Sequence, residues 1–279
     1  MELSRREHLE QGKFAMKNPF DLTGKVAIVT GGSQGIGEGI VLGLAQAGAD
    51  VVIAARTGQS VAGVAAAICK AGRRGIGVPT DVTSEAGVGR LVAETVRQLG
   101  RVDILVNNAG ASQAPSFRRA AVVDLRPDEF DACIALNLKS VYYTCRAAVP
   151  VMRQHGGGSI INIASAAARE NEPPRAGFGM YSAAKAGVIA LTRTMAPELA
   201  PLIRINCILP GPVNNPRTRM RSPELLEILQ RSIALGRPGE PEDVAGAVVY
   251  FASDASAWTT GAALDIDGGL RSPEDTAKR

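Results

Sequence analysis

Histidine and cysteine are scarce in this chain of 279 residues. It contains two histidines, His8 and His155, and four cysteines with no Cys-x-x-Cys spacing. This leaves no imidazole-based metal site and few options for histidine-dependent catalysis. The cysteines stand among apolar residues, where we expect buried, reduced thiols and hence a cytoplasmic protein. They are Cys69, Cys133, Cys145 and Cys207.

Long hydrophobic runs and clusters of one charge are also absent. No apolar segment reaches the roughly 18 residues that a membrane span needs, and Arg5 and Arg6 precede polar residues rather than the apolar core of a secretion signal. The net charge is +4 at pH 7, with lysine and arginine scattered along the chain. The sequence therefore predicts neither a membrane partner nor a nucleic-acid partner.

The residues that are present favour one α/β domain. Hydrophobic residues make up 46% of the chain, which is enough for a sizeable core. Segments typical of strands and helices alternate, which predicts right-handed βαβ units and a parallel sheet covered on both faces. We predict a catalytic domain at 21–270, an N-terminal extension at 1–20, either disordered or packed on a neighbouring subunit, and a polar C-terminal tail at 271–279.

The segments follow a regular order. Strands are predicted at 26–30, 50–55, 75–80, 102–106, 159–164, 203–208 and 262–266. Helices are predicted from residue 36 and at 60–71, 84–99, 128–154, 180–199, 223–232 and 241–253.

The first strand and helix are joined by a glycine-rich turn from Gly31 to Gly37. Glycines at 31, 35 and 37 allow a tight turn and close approach of a ligand, and the helix N-terminus beyond it suits a phosphate. Two alternatives are a purely structural turn and the G-x-S-x-G signature of a serine hydrolase centred on Ser33. The hydrolase needs a histidine late in the chain, but the last one is His155, so we favour a nucleotide site.

Residues directly after the strands are the next candidates, because ligands of doubly wound sheets bind beyond the carboxyl ends of the strands. Arg56 follows the second strand, about 20 residues after the glycine turn, where a basic residue suits a ribose 2′-phosphate. It favours NADP(H) over NAD(H), with a solvated surface arginine as the alternative. Asp81 follows the third strand and either caps the next segment or accepts a hydrogen bond from an adenine amine.

Tyr181 and Lys185 lie one helical turn apart and share a helix face. An ammonium beside a phenol lowers the pKa of the phenol from about 10, which suits Tyr181 to acid/base work near neutrality. Ser165 follows the fifth strand and either donates a hydrogen bond to a substrate carbonyl or caps a turn. Asn137 falls inside a predicted helix, where asparagine is unfavourable, so we expect a functional hydrogen bond or a kink there.

Taken in order, these motifs resemble the short-chain dehydrogenase/reductase family from about Leu22 to Leu270. The matching residues are Thr30-Gly31-x-x-x-Gly35-Ile36-Gly37, Asp81-Val82, Asn107-Asn108-Ala109-Gly110, Asn137, Ser165, Tyr181-x-x-x-Lys185, Pro210-Gly211 and Asp267-Gly268-Gly269. The resemblance implies a single-domain Rossmann-type doubly wound sheet of seven parallel strands. It also implies a homotetramer or homodimer built through the helices at 128–154 and 180–199.

The resemblance further implies hydride transfer between NADP(H) and a carbonyl or secondary alcohol. In this family Tyr181 would be the proton donor or acceptor, and Ser165 would orient the carbonyl. Lys185 would hold the nicotinamide ribose and tune Tyr181, and Asn137 would support a water-mediated proton relay. Besides Tyr181 and Lys185, the residues expected at the cofactor are Gly31, Ser33, Gln34, Gly35, Ile36, Gly37, Arg56, Asp81, Val82, Asn108, Ala109, Gly110, Pro210, Gly211 and Val213.

Two departures from the family pattern concern the cofactor. Many NADP-dependent relatives carry a basic residue in the glycine turn where this chain has Gln34, so the cofactor preference depends on Arg56. A threonine often follows the Pro-Gly pair near the nicotinamide amide. Here that position is Asn215, with Thr218 further on, and the sequence leaves open which of them serves.

A third departure concerns the substrate. The family often keeps about 13 residues between the catalytic serine and tyrosine, whereas here they are 16 apart. The extra residues fall within 169–180, which we expect to line the substrate mouth with Arg169, Glu170 and Arg175. Arginines at 169, 175, 217, 219 and 221 either favour an anionic substrate group or are solvated.

The substrate predicted first is a 3-oxoacyl thioester. Sugars or polyols, and steroid or xenobiotic ketones, are the alternatives. A non-catalytic nucleotide-binding protein is disfavoured, because it has no reason to keep Ser165, Tyr181 and Lys185 together.

Overall fold

The fold was analysed in a computed structural model, which describes residues 18–56, 58–169, 176–214 and 223–270. Its strands are β1 (Val26–Thr30), β2 (Asp50–Ala55), β3 (Gly75–Pro79), β4 (Ile104–Asn107), β5 (Gly158–Ile163), β6 (Ile203–Pro210) and β7 (Ala263–Ile266). They form one sheet in the order β3-β2-β1-β4-β5-β6-β7, and every pairing is parallel. The predicted doubly wound α/β fold with seven parallel strands is confirmed.

The described part of the chain contains eight α-helices. They are α1 (Ile36–Gln46), α2 (Gly58–Lys70), α3 (Glu85–Leu99), α4 (Pro127–Ile134), α5 (Ser140–Gln154), α6 (Gly179–Leu199), α7 (Pro223–Ser232) and α8 (Pro241–Ala252). Six of them, α1, α2, α3, α5, α6 and α8, contribute to the cores on the two faces of the sheet. Residues 1–17 of the predicted extension and the whole predicted tail at 271–279 lie outside the described residues.

Strand β1 is apolar from Val26 to Val29 because it is buried on both faces. Ile28 belongs to a hydrophobic core that also contains residues of α3, α5 and α6. Its neighbour Val29 belongs to a second core, formed with α1, α2 and α8. Successive side chains of a strand point to opposite faces, so a strand between two helical layers is apolar at most of its positions.

The strand order fixes where a ligand can bind. Strand β1 pairs with β2 on one side and with β4 on the other. Strands β2 and β3 therefore extend the sheet in one direction from β1, and β4 to β7 extend it in the opposite direction. Such a reversal leaves a crevice beyond the carboxyl ends of the two central strands. The glycine-rich turn after β1 and the Asn-Asn-Ala-Gly segment after β4 border this crevice.

The helix predicted at 128–154 is not continuous, because Ala135–Lys139 forms a turn of π-helix between α4 and α5. The amide of Asn137 donates a hydrogen bond to the Cys133 carbonyl, four residues earlier, at 3.1 Å. In a regular α-helix this carbonyl would accept from the backbone N–H of residue 137. The side chain competes for the same acceptor, which favours the wider turn.

The expectation that all four cysteines are buried is wrong for Cys69. This residue is exposed on α2, whereas Cys133, Cys145 and Cys207 are buried, and all four thiols are free. Helix α2 directs one face to the sheet, and Ile68 occupies that face, so its neighbour Cys69 points to solvent.

Candidate active site

The glycine-rich turn is held against the end of β4 by reciprocal hydrogen bonds. The Thr30 hydroxyl accepts from the backbone N–H groups of Asn108 and Ala109, both at 3.0 Å. The Asn108 amide donates to the carbonyls of Thr30 and Gly31, at 3.0 and 3.1 Å. A Cβ at Gly37 would lie 2.6 Å from the Asn108 amide nitrogen and would strike the Gly31 carbonyl. The turn therefore has no room for a side chain at position 37.

The same turn leaves the N-terminus of α1 open to a ligand. Gly31 and Gly35 have φ values of +66° and +56°, which only glycine adopts readily. Gly35 is the N-cap residue and offers no side-chain acceptor, so the first N–H groups of α1 lack a side-chain cap. Ser33 and Ile36 are partly exposed and Gln34 is exposed beside it. This uncapped N-terminus fits the pyrophosphate of a dinucleotide.

Arg56 lies beside the glycine turn, at the end of β2. The backbone N–H of Gly31 donates to the Ala54 carbonyl at 2.7 Å, which brings residues 54–56 next to the turn. Arg56 is exposed, and no carboxylate within the described ranges pairs with it. Its charge is therefore available to a phosphate group on the ribose.

Asp81 makes a capping turn, one of its two predicted roles. One carboxylate oxygen accepts from the backbone N–H of Thr83 at 2.9 Å and from the Thr83 hydroxyl at 2.7 Å. The backbone carbonyl of Asp81 accepts from Ser84, the N-cap of α3. Val82 between them is buried.

Ser165 and Tyr181 meet at the carboxyl end of β5. Ser165 accepts from the backbone N–H of Ala167 at 3.2 Å, so it caps a short 3₁₀ turn as one of its two readings predicted. Its hydroxyl also hydrogen-bonds to Tyr181, an interaction that lowers the pKa of the phenol. The two hydroxyls thus converge on one point, where a single carbonyl oxygen can accept from both.

Lys185 and Asn137 lie next to the segment that follows β4, close to the Ser165 and Tyr181 hydroxyls. The Lys185 ammonium donates to the Ile163 carbonyl at 2.7 Å and lies 6.0 Å from the centre of the Tyr181 ring. A Cβ at Gly110 would lie 3.0 Å from this ammonium and 2.9 Å from the Asn137 amide oxygen. Gly110 therefore has to be glycine for the two polar groups to approach the segment after β4.

Asn137 is fully buried and joins the π turn to the loop after β4. Its amide oxygen accepts from the Ala111 backbone N–H at 3.0 Å, and its amide nitrogen donates to the Ala111 carbonyl at 3.0 Å. The break in the helix is present and these hydrogen bonds accompany it, whereas a functional hydrogen bond of Asn137 stays a prediction.

The electrostatics differ from the prediction for Tyr181. Burial raises the pKa of Tyr181, and the opposing influences come from Ser165 and from the Arg119 guanidinium rather than from Lys185. Burial also lowers the pKa of Lys185 to about 8. Because Lys185 loses its proton at a lower pH than the buried phenol does, it is a neutral amine where Tyr181 would ionise, so the expected lowering of the Tyr181 pKa by Lys185 is not found in the chain alone.

The Pro-Gly segment at the carboxyl end of β6 packs against the segment that follows β7. The Gly211 backbone N–H donates to the Ile266 carbonyl at 3.0 Å, and a Cβ at Gly211 would lie 2.7 Å from that of Asp267. Pro210 and Val213 are buried beside it. The candidates Asn215, Thr218, Glu170 and Arg175, with the arginines at 217, 219 and 221, lie outside the described residues.

Arg169 does not have the free charge that a substrate-binding arginine needs. Its guanidinium pairs with Asp267 at 2.6 Å, and the carboxylate of Asp267 is nearly buried. The pair ties the segment after Ser165 to the turn after β7. This part of the predicted substrate mouth is therefore a structural contact.

Three residues that the sequence analysis did not select also border Tyr181. Phe178 packs its ring edge-on against that of Tyr181, with 6.2 Å between centroids, and the Arg119 guanidinium lies 4.2 Å from the Phe178 ring centre. Arg119 also donates to the Ser112 hydroxyl. Ser112 and Arg119 follow β4, so the rule that sites lie beyond strand ends pointed to their loop but not to these positions.

Within the described ranges, no helix has both the length and the apolar character that crossing a bilayer requires. No group of three or more His, Cys, Asp or Glu side chains gathers there in a metal-binding arrangement. The site is thus built from hydroxyls, amides and an amine around a nucleotide crevice.

Comparisons with known proteins agree with this geometry. A family profile described as "Enoyl-(Acyl carrier protein) reductase" matches residues 31–271. An oxidoreductase of Mycobacterium tuberculosis is 39% identical over 257 residues, or 91% of this chain and 95% of the relative. The 3-oxoacyl-(acyl-carrier-protein) reductase FabG of Chlamydia pneumoniae is 38% identical over 250 residues, or 89% of this chain and 98% of the relative.

A solved structure is similar over a comparable share of the chain. It is a 7α-hydroxysteroid dehydrogenase in complex with NADH and 7-oxo glycochenodeoxycholic acid, 32% identical, with a TM-score of 0.84 over 91% of this chain and 96% of that chain. The fold and the site together define an NAD(P)-dependent oxidoreductase that acts on CH–OH or carbonyl groups. The chain belongs to the short-chain dehydrogenase/reductase family.

Proposed function

We propose that the protein is an NADP(H)-dependent carbonyl reductase that acts in the cytoplasm, with 3-oxoacyl thioesters as its first substrate class. The observation that carries the proposal is the convergence of the Ser165 and Tyr181 hydroxyls beside the crevice that the glycine turn borders. Lys185 and Asn137 lie behind them, in contact with the segment after β4.

The residues present fit a dinucleotide. The uncapped N-terminus of α1 suits the pyrophosphate, and glycines at 31 and 37 keep side chains out of the turn where it packs on Asn108. Arg56 would take a ribose 2′-phosphate and Lys185 the nicotinamide ribose. When bound, the cofactor supplies the hydride that reduces the carbonyl carbon.

The chain supplies orientation and the proton. Ser165 donates a hydrogen bond to the substrate carbonyl oxygen and Tyr181 transfers its hydroxyl proton to the same oxygen as the alcohol forms. The raised pKa of Tyr181 keeps the phenol protonated near neutrality, which is the form that reduction needs. Asn137 holds the loop after β4 at the distance that lets the proton be replaced through a water-mediated relay.

Arg56 supports NADP(H) as the cofactor. We expect Arg56→Asp to shift the ratio of kcat/KM for NADPH over NADH toward NADH by at least about tenfold, because a carboxylate repels the 2′-phosphate and accepts from a 2′-hydroxyl. The measurement is the rate of cofactor oxidation with each nucleotide. Arg153→Gln, an exposed change at the amino end of β5, is the control. An unchanged ratio would remove the support for NADP(H), and the NADH in the steroid dehydrogenase structure shows that a family member can bind the other cofactor.

The thioester preference is supported by the FabG relative and by its coverage of nearly the whole chain. Steroid and xenobiotic ketones, and sugars or polyols, are the competing substrates, and the steroid dehydrogenase structure favours the first of these. The test is NADPH oxidation with the purified protein against a 3-oxobutanoyl thioester, a steroid ketone, a cyclic ketone and a ketose. Oxidation with none of them would contradict the proposal, and a preference for the steroid ketone would correct its substrate class.

We also propose a homotetramer or homodimer built through α4, α5 and α6. Exposed apolar side chains on α4 and α5 support it: Phe130 is 42% and Tyr142 is 48% exposed in the single chain. Light scattering of the purified protein tests this, and a monomeric mass would contradict it.

A further inference from the structure

The loop after β4 covers the start of α6 and brings a cation to the active site. A Cβ at Gly177 would lie 3.6 Å from that of Arg119, and one at Gly179 would lie 2.5 Å from a Val122 methyl group. The loop therefore packs directly on the residues that precede Tyr181. This contact fixes Arg119 at the edge of the substrate side of the crevice.

The charge of Arg119 has no acidic partner in the part of the chain that the structure describes. Its neighbour Arg118 pairs with Glu129 at 3.3 Å, and Arg169 pairs with Asp267 at 2.6 Å. Arg119 contacts a hydroxyl and an aromatic ring instead. Arg119 is exposed in the single chain, but partial burial of its guanidinium lowers its pKa, and no carboxylate of the described residues compensates for that burial. An oxygen of the substrate can supply that compensation.

The guanidinium is held by contacts with two residues that lie next to Tyr181. One face stacks on the Phe178 ring at 4.2 Å, and that ring contacts the Tyr181 ring. Its Nε and Nη2 atoms both donate to the Ser112 hydroxyl oxygen, at 3.2 and 2.5 Å. Ser112 and Tyr181 line one small cavity, and the charge of Arg119 is felt by the Tyr181 phenol. Arg119 does not itself line this cavity, so its remaining N–H donors are placed to meet a part of the substrate that lies outside the cavity, a few bonds from the reacting carbonyl.

We propose that Arg119 binds an acyl oxygen of the substrate, from a carboxylate or a thioester carbonyl that lies a few bonds from the reacting ketone. This assignment rests on the proposed function and narrows it to substrates of the 3-oxoacyl type. A planar guanidinium presents fixed donors that match such an oxygen, and its charge favours a carboxylate over a neutral thioester. A simple ketone offers no oxygen to Arg119 and gains nothing from it.

The test compares three substrates in four proteins. The substrates are 3-oxobutanoate, the N-acetylcysteamine thioester of 3-oxobutanoate, and 2-pentanone, which carries the ketone without the acyl oxygen. The proteins are the wild type, Arg119→Gln, Arg119→Lys and the control Arg153→Gln. Arg153 is exposed at the opposite end of the sheet, so its replacement removes the same charge far from the site.

We expect Arg119→Gln to lower kcat/KM roughly 10- to 100-fold for 3-oxobutanoate and about tenfold for the thioester, and to leave 2-pentanone within about twofold. Arg119→Lys should retain part of the activity with 3-oxobutanoate, because it keeps the charge but not the planar donors. A second readout is the thermal shift that 3-hydroxybutanoate produces in the NADP⁺ complex. This shift should be lost in Arg119→Gln, whereas NADPH affinity by fluorescence should be unchanged.

The outcomes separate this inference from the proposed function. Equal losses for all three substrates, or no loss for any, would overturn the role of Arg119 while leaving the reductase activity in place. A wild-type protein that reduces 2-pentanone but neither of the other two substrates would likewise overturn the role of Arg119. A wild type that oxidises NADPH with none of the three would contradict the proposed function, and the role of Arg119 with it.

Discussion

We expect the buried charge of Lys185 to lower the free energy of unfolding of the protein. The side chain is 3% exposed, and the titratable groups that influence it are the thiols of Cys207 and Cys133 rather than a carboxylate. Among the described residues its ammonium has one hydrogen-bond partner, the Ile163 carbonyl. Lys185→Met keeps a chain of similar length, removes the charge, and should abolish activity while leaving the fold intact.

The size of the effect follows from the pKa. Burial lowers the pKa of Lys185 from 10.5 to about 8. Since one pKa unit corresponds to about 1.4 kcal/mol, charging this amine costs the folded state roughly 3 kcal/mol relative to the unfolded chain. Loss of the hydrogen bond to Ile163 offsets about 1–2 kcal/mol of this. At pH 7 we expect Lys185→Met to be about 1–2 kcal/mol more stable than the wild type.

The pH dependence gives the sharper test. Below pH 8 both folded and unfolded wild type hold the proton, so the destabilisation is present in full. Between pH 8 and 10.5 the folded state loses the proton and the unfolded state keeps it, so wild-type stability rises with pH relative to the variant. Between pH 7 and pH 10 the difference in free energy of unfolding should move by roughly 2–3 kcal/mol in favour of the wild type.

Urea unfolding followed by far-ultraviolet circular dichroism measures this difference. The single tryptophan, Trp258, is fully exposed and would report poorly. Lys70→Met, which removes an exposed lysine from α2, is the control and should show no such trend. A difference between wild type and Lys185→Met that stays constant from pH 7 to pH 10 would refute the reasoning.

Two further predictions concern the interior and the thiols. Thr144→Val should lower the free energy of unfolding by about 1–3 kcal/mol, because the buried Thr144 hydroxyl donates to the Asn107 amide oxygen at 2.6 Å and its loss leaves that oxygen unpaired. Thr194→Val, at an exposed position, is the control and should change stability little in the same urea titration. Equal losses of stability in the two variants would contradict the role given to the Thr144 hydroxyl. An aromatic disulfide reagent should label one thiol rapidly in the native protein, and Cys69→Ser should remove this reaction; rapid labelling in the variant would show that a buried cysteine is accessible.

The fold could be predicted because its signals are local and repeated. Segments such as Val26–Val29 are apolar throughout, as is typical of strands covered on both faces, and strand-like and helix-like segments alternate along the chain. The positions of the candidate site residues followed from the same order, since parallel strands end at one edge of the sheet. This is why Ser165 and Asn108, 57 residues apart in the sequence, border one crevice.

The predictions that were wrong or absent depend on contacts between distant segments. The π turn forms because the Asn137 amide takes a helix carbonyl and also bonds to Ala111, a partner in another loop. Arg119 acquires its position only when the loop after β4 packs on Phe178. The pKa of Tyr181 depends on burial, which the spacing between a tyrosine and a lysine does not report.

The central claim is that the Tyr181 hydroxyl delivers the proton to the substrate oxygen. It is tested most directly by Tyr181→Phe, with kcat measured for a substrate that the wild type reduces and NADPH affinity measured by fluorescence. The control is Tyr250→Phe, which removes a hydroxyl bonded to Thr259 on another part of the surface. The account predicts that kcat falls at least about 100-fold in Tyr181→Phe while NADPH affinity stays within about twofold. Turnover within about tenfold of the wild type would contradict it.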